Sequence, residues 1–299
     1  MSIIGSNILA GASSQGGYVI EESLRFNSSQ SSYLERTPAS AGNRKTWTWS
    51  GWIKGKNSST ATGLFTAFSA SSNWASIYFG GSGVLGFSSA GAGAGLIQLS
   101  RQFRDPAAWY HIVFVFDSTQ ATQANRAKFY INGELATDIL SSPTFGLNAE
   151  TYISSTVSHQ IGDFYDGGSH RYHDGYLAEV NFIDGQALTP SSFGEYNATT
   201  GVWQPVGYTG TYGTNGFYLP MKLDNTTEGF NTVTWYGTAS KKQIGGVGFS
   251  PDLVWIKNRT SAYSHLLYDT IRGTGLYLAS NSTVADQAFA NGFTSFDSD

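Results

Sequence analysis

Trp109 to Ala136, WYHIVFVFDSTQATQANRAKFYINGELA, constrains this chain more than any other stretch. Ile112, Phe114 and Phe116 fall on one face of an extended chain, and Val113 and Val115 fall on the other. With both faces apolar, the run ending at Asp117 reads as a central strand of a packed sheet. A polar loop follows, then Ala127 to Ile131, Asn132-Gly133 and Glu134 to Asp138. Asn-Gly between two β-rich runs signals a hairpin, because a type I′ turn needs positive φ at both central residues. That turn sets Phe129 opposite Ala136 and Tyr130 opposite Leu135, in the middle of a β-sandwich.

The composition agrees with an all-β chain. Only 13% of the 299 residues are charged and 15% are aromatic, with 36 glycines for tight turns, against roughly 25% charged residues in an average soluble domain. The net charge of −4 and the lack of a Lys/Arg cluster argue against nucleic acid as a partner. There is no cysteine, which excludes disulfides, thiolate metal sites and cysteine nucleophiles. No apolar run approaches the roughly 18 residues of a membrane helix, and the N-terminus makes a poor signal peptide.

Along the chain, residues 1–22 are Gly/Ser-rich, with Ile3, Ile4, Ile8 and Leu9 as the sizeable side chains. They read as a disordered leader, or as an arm that uses those apolar pegs to anchor on a neighbouring protein. Residues 23–200 read as the sandwich. In WTWSGWIK, Trp47, Trp49 and Ile53 share one face, and Thr48, Ser50, Trp52 and Lys54 the other. Short strands are expected at 63–70, 74–79, 84–87, 98–103, 152–155 and 159–164, with AGAGAG (90–95) as a flexible loop. Residues 176–183 alternate Tyr176, Ala178, Val180 and Phe182 against Leu177, Glu179, Asn181 and Ile183, as a closing strand would. Thr189-Pro190 predicts an N-cap and one or two helical turns to Tyr196. Residues 201–229 read as an extended link or edge element packing on the sandwich, and 230–299 as a second, smaller β-unit. Its strands begin at FNTVTWYG, and its small core leads us to expect docking on the first domain, on other copies, or on further β-structure continuing beyond residue 299.

The succession WTWSGWIK, AWYHIVFVFD, AKFYINGELA and YLAEVNFIDGQALTP resembles the laminin-G-like (LamG) branch of the concanavalin A-like lectin/glucanase superfamily, over about residues 23–197. The resemblance implies a jelly-roll sandwich. More narrowly, SLRFNSSQSSYLERTPASAGNRKTWTWSGWIK and GFSPDLVWIKNRTSAYSHLLYDTIRG resemble bacteriophage virion proteins of tail-fibre type. That implies a virion location after assembly in a bacterial cytoplasm, other virion proteins as partners, and homo-oligomers, trimeric by analogy with fibres. An adhesin recognising a host-surface glycan, or a capsid decoration protein, is the alternative.

Glucanases in this superfamily carry Glu-x-Asp-x-x-Glu or Glu-x-Asp-x-Glu on one strand, and no such run is present. A retaining glycosidase needs two carboxylates about 5–5.5 Å apart, and Glu179 has no carboxylate near it in sequence, so the chain reads as a non-enzyme. The densest polar stretch holds Asp163, Asp166, His170, His173 and Asp174. Asp163, Asp166 and Asp174 are candidate calcium ligands, and the two histidines candidate transition-metal ligands; a solvated loop is the plainer reading. Trp74, Tyr165 and Tyr172, in or beside polar turns, are candidate sugar-stacking residues. His111, inside the central strand, reads as a hydrogen-bonded interior histidine.

Overall fold

The computed structural model describes residues 18, 20, 22–55, 60–221, 229–238, 240–245, 247–289 and 292–297. Two compact units divide the chain, Met1–Leu223 and Asp224–Asp299. The anchoring candidates Ile3, Ile4, Ile8 and Leu9 lie outside the described residues.

The first unit opens with β1 (Leu24–Phe26), β2 (Leu34–Arg36), β3 (Thr46–Gly55), β4 (Thr62–Ala70), β5 (Asn73–Phe79) and β6 (Val84–Ser89). It continues through β7 (Gly95–Gln102), β8 (Tyr110–Asp117), β9 (Ala127–Ile131), β10 (Glu134–Leu135), β11 (Ile139–Ser141) and β12 (Ser158–Ile161). After these come β13 (Asp163–Tyr165), β14 (His170–Tyr172), β15 (Gly175–Asp184), β16 (Gly194–Tyr196), β17 (Trp203–Pro205) and β18 (Phe217–Leu219). One antiparallel sheet runs β1-β15-β3-β8-β9-β10, with β18 also on β15, and the facing sheet runs β11-β7-β6-β5-β4-β12-β2. Among the described residues no helix is long and apolar enough to cross a membrane.

The pattern around Trp109 to Ala136 dictates this arrangement. β8 lies between β3 and β9, and Leu135 faces Tyr130 across the turn, while Ala136 N donates to Phe129 O at 2.9 Å. Asn132 and Gly133 have φ of 50° and 88°, as a type I′ turn requires. Ile112, Phe114 and Phe116 enter the core between the sheets with Trp47 and Trp49. Trp47 lies 5.3 to 5.4 Å from the rings of Phe87, Phe114 and Phe116. Val113 and Val115 enter a second apolar layer with Ile183 and Phe193, bordered by Tyr208 and Tyr212. The doubly apolar strand is thus covered on both faces, by the facing sheet and by the chain after β15.

That covering chain corrects the boundary drawn at residue 201. β17 pairs with β16, β18 extends the β15 ladder, and Trp203 borders the Trp52 cluster. The described part of the presumed link is therefore a layer of the first unit.

Four further expectations change. Residues 152–155 form a turn, in which Ser155 Oγ donates to Tyr152 O at 2.6 Å. The AGAGAG run is closely packed rather than open, because a Cβ on Gly95 would sit 2.3 Å from the Phe145 ring. The helix at Pro190 is one 3-10 turn, Pro190–Ser192, since the chain re-enters a strand at Gly194. The alternation in β15 also slips. Ala178 pairs with Trp52 and Asn181 with Ser50, so three steps on β15 oppose two on β3. This bulge at Glu179, with φ of 50°, puts Leu177 as well as Val180 and Phe182 in the inter-sheet core, while Ala178 packs with Ile20 and Trp52. One extra residue moves every following side chain to the other face.

The second unit has one antiparallel sheet, β19 (Leu253–Ile256), β20 (Leu266–Asp269), β21 (Leu276–Ala279) and β22 (Gln287–Ala288). FNTVTWYG forms no strand. Among the described residues of this unit Tyr268 is the one buried hydrophobic, stacked on Phe293 at 5.0 Å.

Candidate functional site

A hairpin standing on the second sheet gathers most of the candidate residues. Gly162, with φ of 84°, ends β12 and turns the chain into β13, which pairs with β14 in the register Asp163 to Tyr172, Phe164 to Arg171 and Tyr165 to His170. Phe164 stacks on Tyr78 and Tyr165 on Phe68, each at 4.5 Å. Ser76 Oγ donates to Tyr165 O at 3.0 Å. These contacts fix the base of the hairpin on β4 and β5.

Its outward side carries a row of rings. Tyr172 lies 5.9 Å from Tyr33 at 17° between planes, and 6.1 Å from His170 at 9°; His170 lies 4.9 Å from Tyr165. Tyr33 is exposed, and Tyr165 and Tyr172 are half-buried. His170 is fixed from behind by Asp163, whose Oδ2 lies 2.8 Å from Nδ1. Burial pushes the Asp163 carboxyl up, and the contact with His170 draws it part of the way back.

The structure therefore brings Tyr165 and Tyr172 together and seats Trp74 on the other side, edge-on to Phe164 at 6.3 Å. Tyr33 and His170 join the row without having been singled out as sugar-stacking residues. His170 drew notice only as a metal ligand, and Tyr33 reaches Tyr172 across a long sequence interval that no local pattern marks.

The calcium candidates are not gathered. Asp163 faces His170, Asp166 pairs with Arg171, and Asp174 pairs with Arg25 at 2.6 Å. Among the described residues no three His, Asp or Glu side chains converge so as to hold a metal ion. His173 points elsewhere as well. It is buried beside Phe26 with both ring nitrogens lacking a hydrogen-bond partner, and burial lowers its pKa to about 4. It borders a cavity of about 30 Å³ walled by Ile53, Thr62, Phe79, Phe103 and Tyr110, enough for one or two waters.

On the outer side of the first sheet, the Glu179 bulge holds a second polar group. The Glu179 carboxylate accepts from Tyr18 OH at 2.6 Å and from Tyr218 OH at 2.8 Å. Burial raises the Glu179 pKa, and burial together with the carboxylate raises Tyr18 to about 12. Nearby, Trp203 Nε1 donates to His111 Nδ1 at 2.9 Å, so the proton on Nε2 faces Ser50 Oγ at 2.9 Å. Burial lowers His111 to about 3 and keeps the imidazole neutral. His111 is an interior hydrogen-bonded histidine, as its strand position suggests.

Comparison with known proteins places this geometry in a family. The profile of the concanavalin A-like lectin/glucanases superfamily matches residues 27–192, and a domain of unknown function matches residues 225–299. A search of the curated proteins finds no match. Among solved structures, the heptameric SAP-like pentraxin of Limulus polyphemus aligns at 19% identity and a TM-score of 0.42, over 58% of this chain and 80% of that one. The Ruminococcus gnavus sialidase CBM40 bound to alpha2,3 sialyllactose aligns at 14% and 0.35, over 48% and 87%. Tailspike protein 2 of Escherichia coli O157:H7 bacteriophage CAB120 aligns at 12% and 0.38, over 58% and 24%. Through residues 27–192 the chain belongs to the concanavalin A-like lectin/glucanases superfamily.

Proposed function

We propose that this chain is a non-catalytic attachment component of a bacteriophage particle, whose sandwich presents a glycan-binding surface to the host. The observation that carries the glycan part is the ring row Tyr33, Tyr172 and His170 on a hairpin braced against the second sheet. Aromatic faces held rigidly beside polar groups suit the apolar faces of sugars. The polar groups beside these faces are the hydroxyls of Tyr33 and Tyr172 and the His170 imidazole, while Arg171, held over the Phe164 ring at 5.5 Å, lies on the other side of the hairpin. The virion part is supported by the sequence resemblance to tail-fibre-type proteins. The leader holding Ile3, Ile4, Ile8 and Leu9 would then dock on another virion protein. Tyr18 and Ile20 are fastened at the Glu179 bulge and in the Trp52 cluster.

The test is binding to an array of bacterial surface polysaccharides. The full chain is expected to bind at least one of them, and Tyr172→Ala to weaken that binding about tenfold or more, the loss of one stacking contact. Tyr263→Ala, in the second unit, is expected to leave it unchanged. Equal binding by the Tyr172→Ala variant, or no binding by the full chain, would contradict the glycan assignment. Mass spectrometry of purified particles checks the virion assignment separately, where absence of the chain would refute it.

A further inference from the structure

Among the described residues β19 pairs with β20 alone, so its other edge is open. Thr270 N donates to Asp252 O at 3.0 Å, which fixes the alternation along the strand. Asp252, Val254 and Ile256 bond inward to β20, and the N–H and C=O groups of Leu253 and Trp255 point outward. The same two residues expose large apolar side chains, at 60% and 64%. An exposed apolar edge of this kind is a template for pairing with another chain, and proteins usually blunt it with charge or proline inside the strand. Here Leu253–Ile256 has neither, and Pro251 and Lys257 stand just outside it.

We propose that β19 pairs antiparallel with β19 of a second copy, across a twofold axis at Val254, joining two four-stranded sheets into one. The occupant follows from the strand itself. Within the strand only Leu253 and Trp255 turn their backbone groups outward, so each must face an outward residue of the other copy. Centring on Val254 sets Leu253 opposite Trp255 in both directions and overlaps the whole strand. An aromatic then packs across an aliphatic residue at each hydrogen-bonded pair. The next outward position is Pro251, which has no N–H and ends the pairing.

Charge selects the same direction. Antiparallel pairing brings Asp252 of one copy within one residue of Lys257 of the other, on the opposite face of the sheet, whereas parallel pairing would set like charges side by side. The contact is isologous and closes at two copies, in place of the trimer expected by analogy with fibres. It also supplies neighbours to a unit whose described residues bury one hydrophobic side chain while Leu253, Trp255, Tyr263 and Ile271 stand exposed.

The chain has no cysteine, so single introduced thiols report the register. Under mild oxidation of the full chain, Val254→Cys is expected to form a disulfide-linked dimer about tenfold faster than Ile271→Cys, because pairing raises the local thiol concentration. Leu253→Cys and Trp255→Cys are each expected to stay unlinked alone and to cross-link when mixed. By analytical ultracentrifugation the wild type is expected to be a dimer, and Trp255→Lys a monomer. Trp255→Pro, which removes an outward N–H and leaves the β20 ladder intact, is expected to be a monomer too. A monomeric wild type, an assembly that survives Trp255→Lys, or Val254→Cys linking no faster than Ile271→Cys would overturn the proposal.

Discussion

Burial sets the charge of the interior histidines. His111 is lowered to about 3, and His159 and His173 to about 4, each chiefly by desolvation. A histidine whose folded pKa is depressed stabilises the fold fully above its unfolded value near 6.5 and loses that contribution as pH falls toward the folded value. Thermal melts are therefore expected to shift downward between pH 6.5 and 4, and His173→Phe to flatten part of that fall. Glu179 acts in the opposite sense. Its raised folded pKa means that its contribution is complete below the unfolded value and is lost as pH rises through the folded one. Glu179→Gln keeps acceptor oxygen for the tyrosines and removes the buried charge. Urea titrations at pH 5 and pH 8 are expected to show the variant gaining on the wild type at the higher pH; equal pH dependence would contradict this. The interior place of His111 was legible from its strand, but the Glu179 group was not, because Glu179 is one polar position in a regular alternation. The partners Tyr18 and Tyr218 arrive from opposite ends of the first unit.

At the scale of elements, the central hairpin was legible and its surroundings were less so. Asn132-Gly133 fixes register locally, so the pairing of Tyr130 with Leu135 follows from the turn alone. Gly133→Ala is expected to cost about 1–3 kcal/mol, the range for a strained backbone site. The added Cβ at φ of 88° would also lie 2.5 Å from the Trp203 ring, and urea unfolding measures the loss. By contrast, the β15 bulge has no sequence mark, because alternation reads straight through it. Asp163 and Phe164 read as the end of one strand over 159–164 and residues 165–175 as a loop, because nothing local marks the turn at Gly162 and the support of β13 and β14 comes from β4 and β5, far away in the sequence. Tyr33 belongs to the ring row for the same nonlocal reason. Phe114→Ala tests the packing at this scale. Loss of a buried phenylalanine typically costs about 3–5 kcal/mol, and Phe114 touches Trp47, Phe87 and Phe129.

Over the whole chain, the all-β sandwich and the smaller second unit were both legible from strand patterning. That residues 201–229 pack on the sandwich was legible too, but not that Tyr208 and Tyr212 cover Val113 and Val115, because a Gly/Tyr-rich stretch has no periodicity to show which face it meets. The two units differ in what they bury. The first has a continuous core of tryptophan and phenylalanine, while the described second unit buries Tyr268 alone among its hydrophobics. Hydrogen exchange on the full chain is accordingly expected to show β3 and β8 as the slowest amides and β19 to β21 as markedly faster; uniform protection would contradict that division. On the proposed function this sandwich grips carbohydrate and breaks none of its bonds. The direct measurement is the chain length of a surface polysaccharide retained on the immobilised protein and then eluted. Retention with unchanged length is the expected result; shortened chains with new reducing ends, or no retention at all, would contradict it.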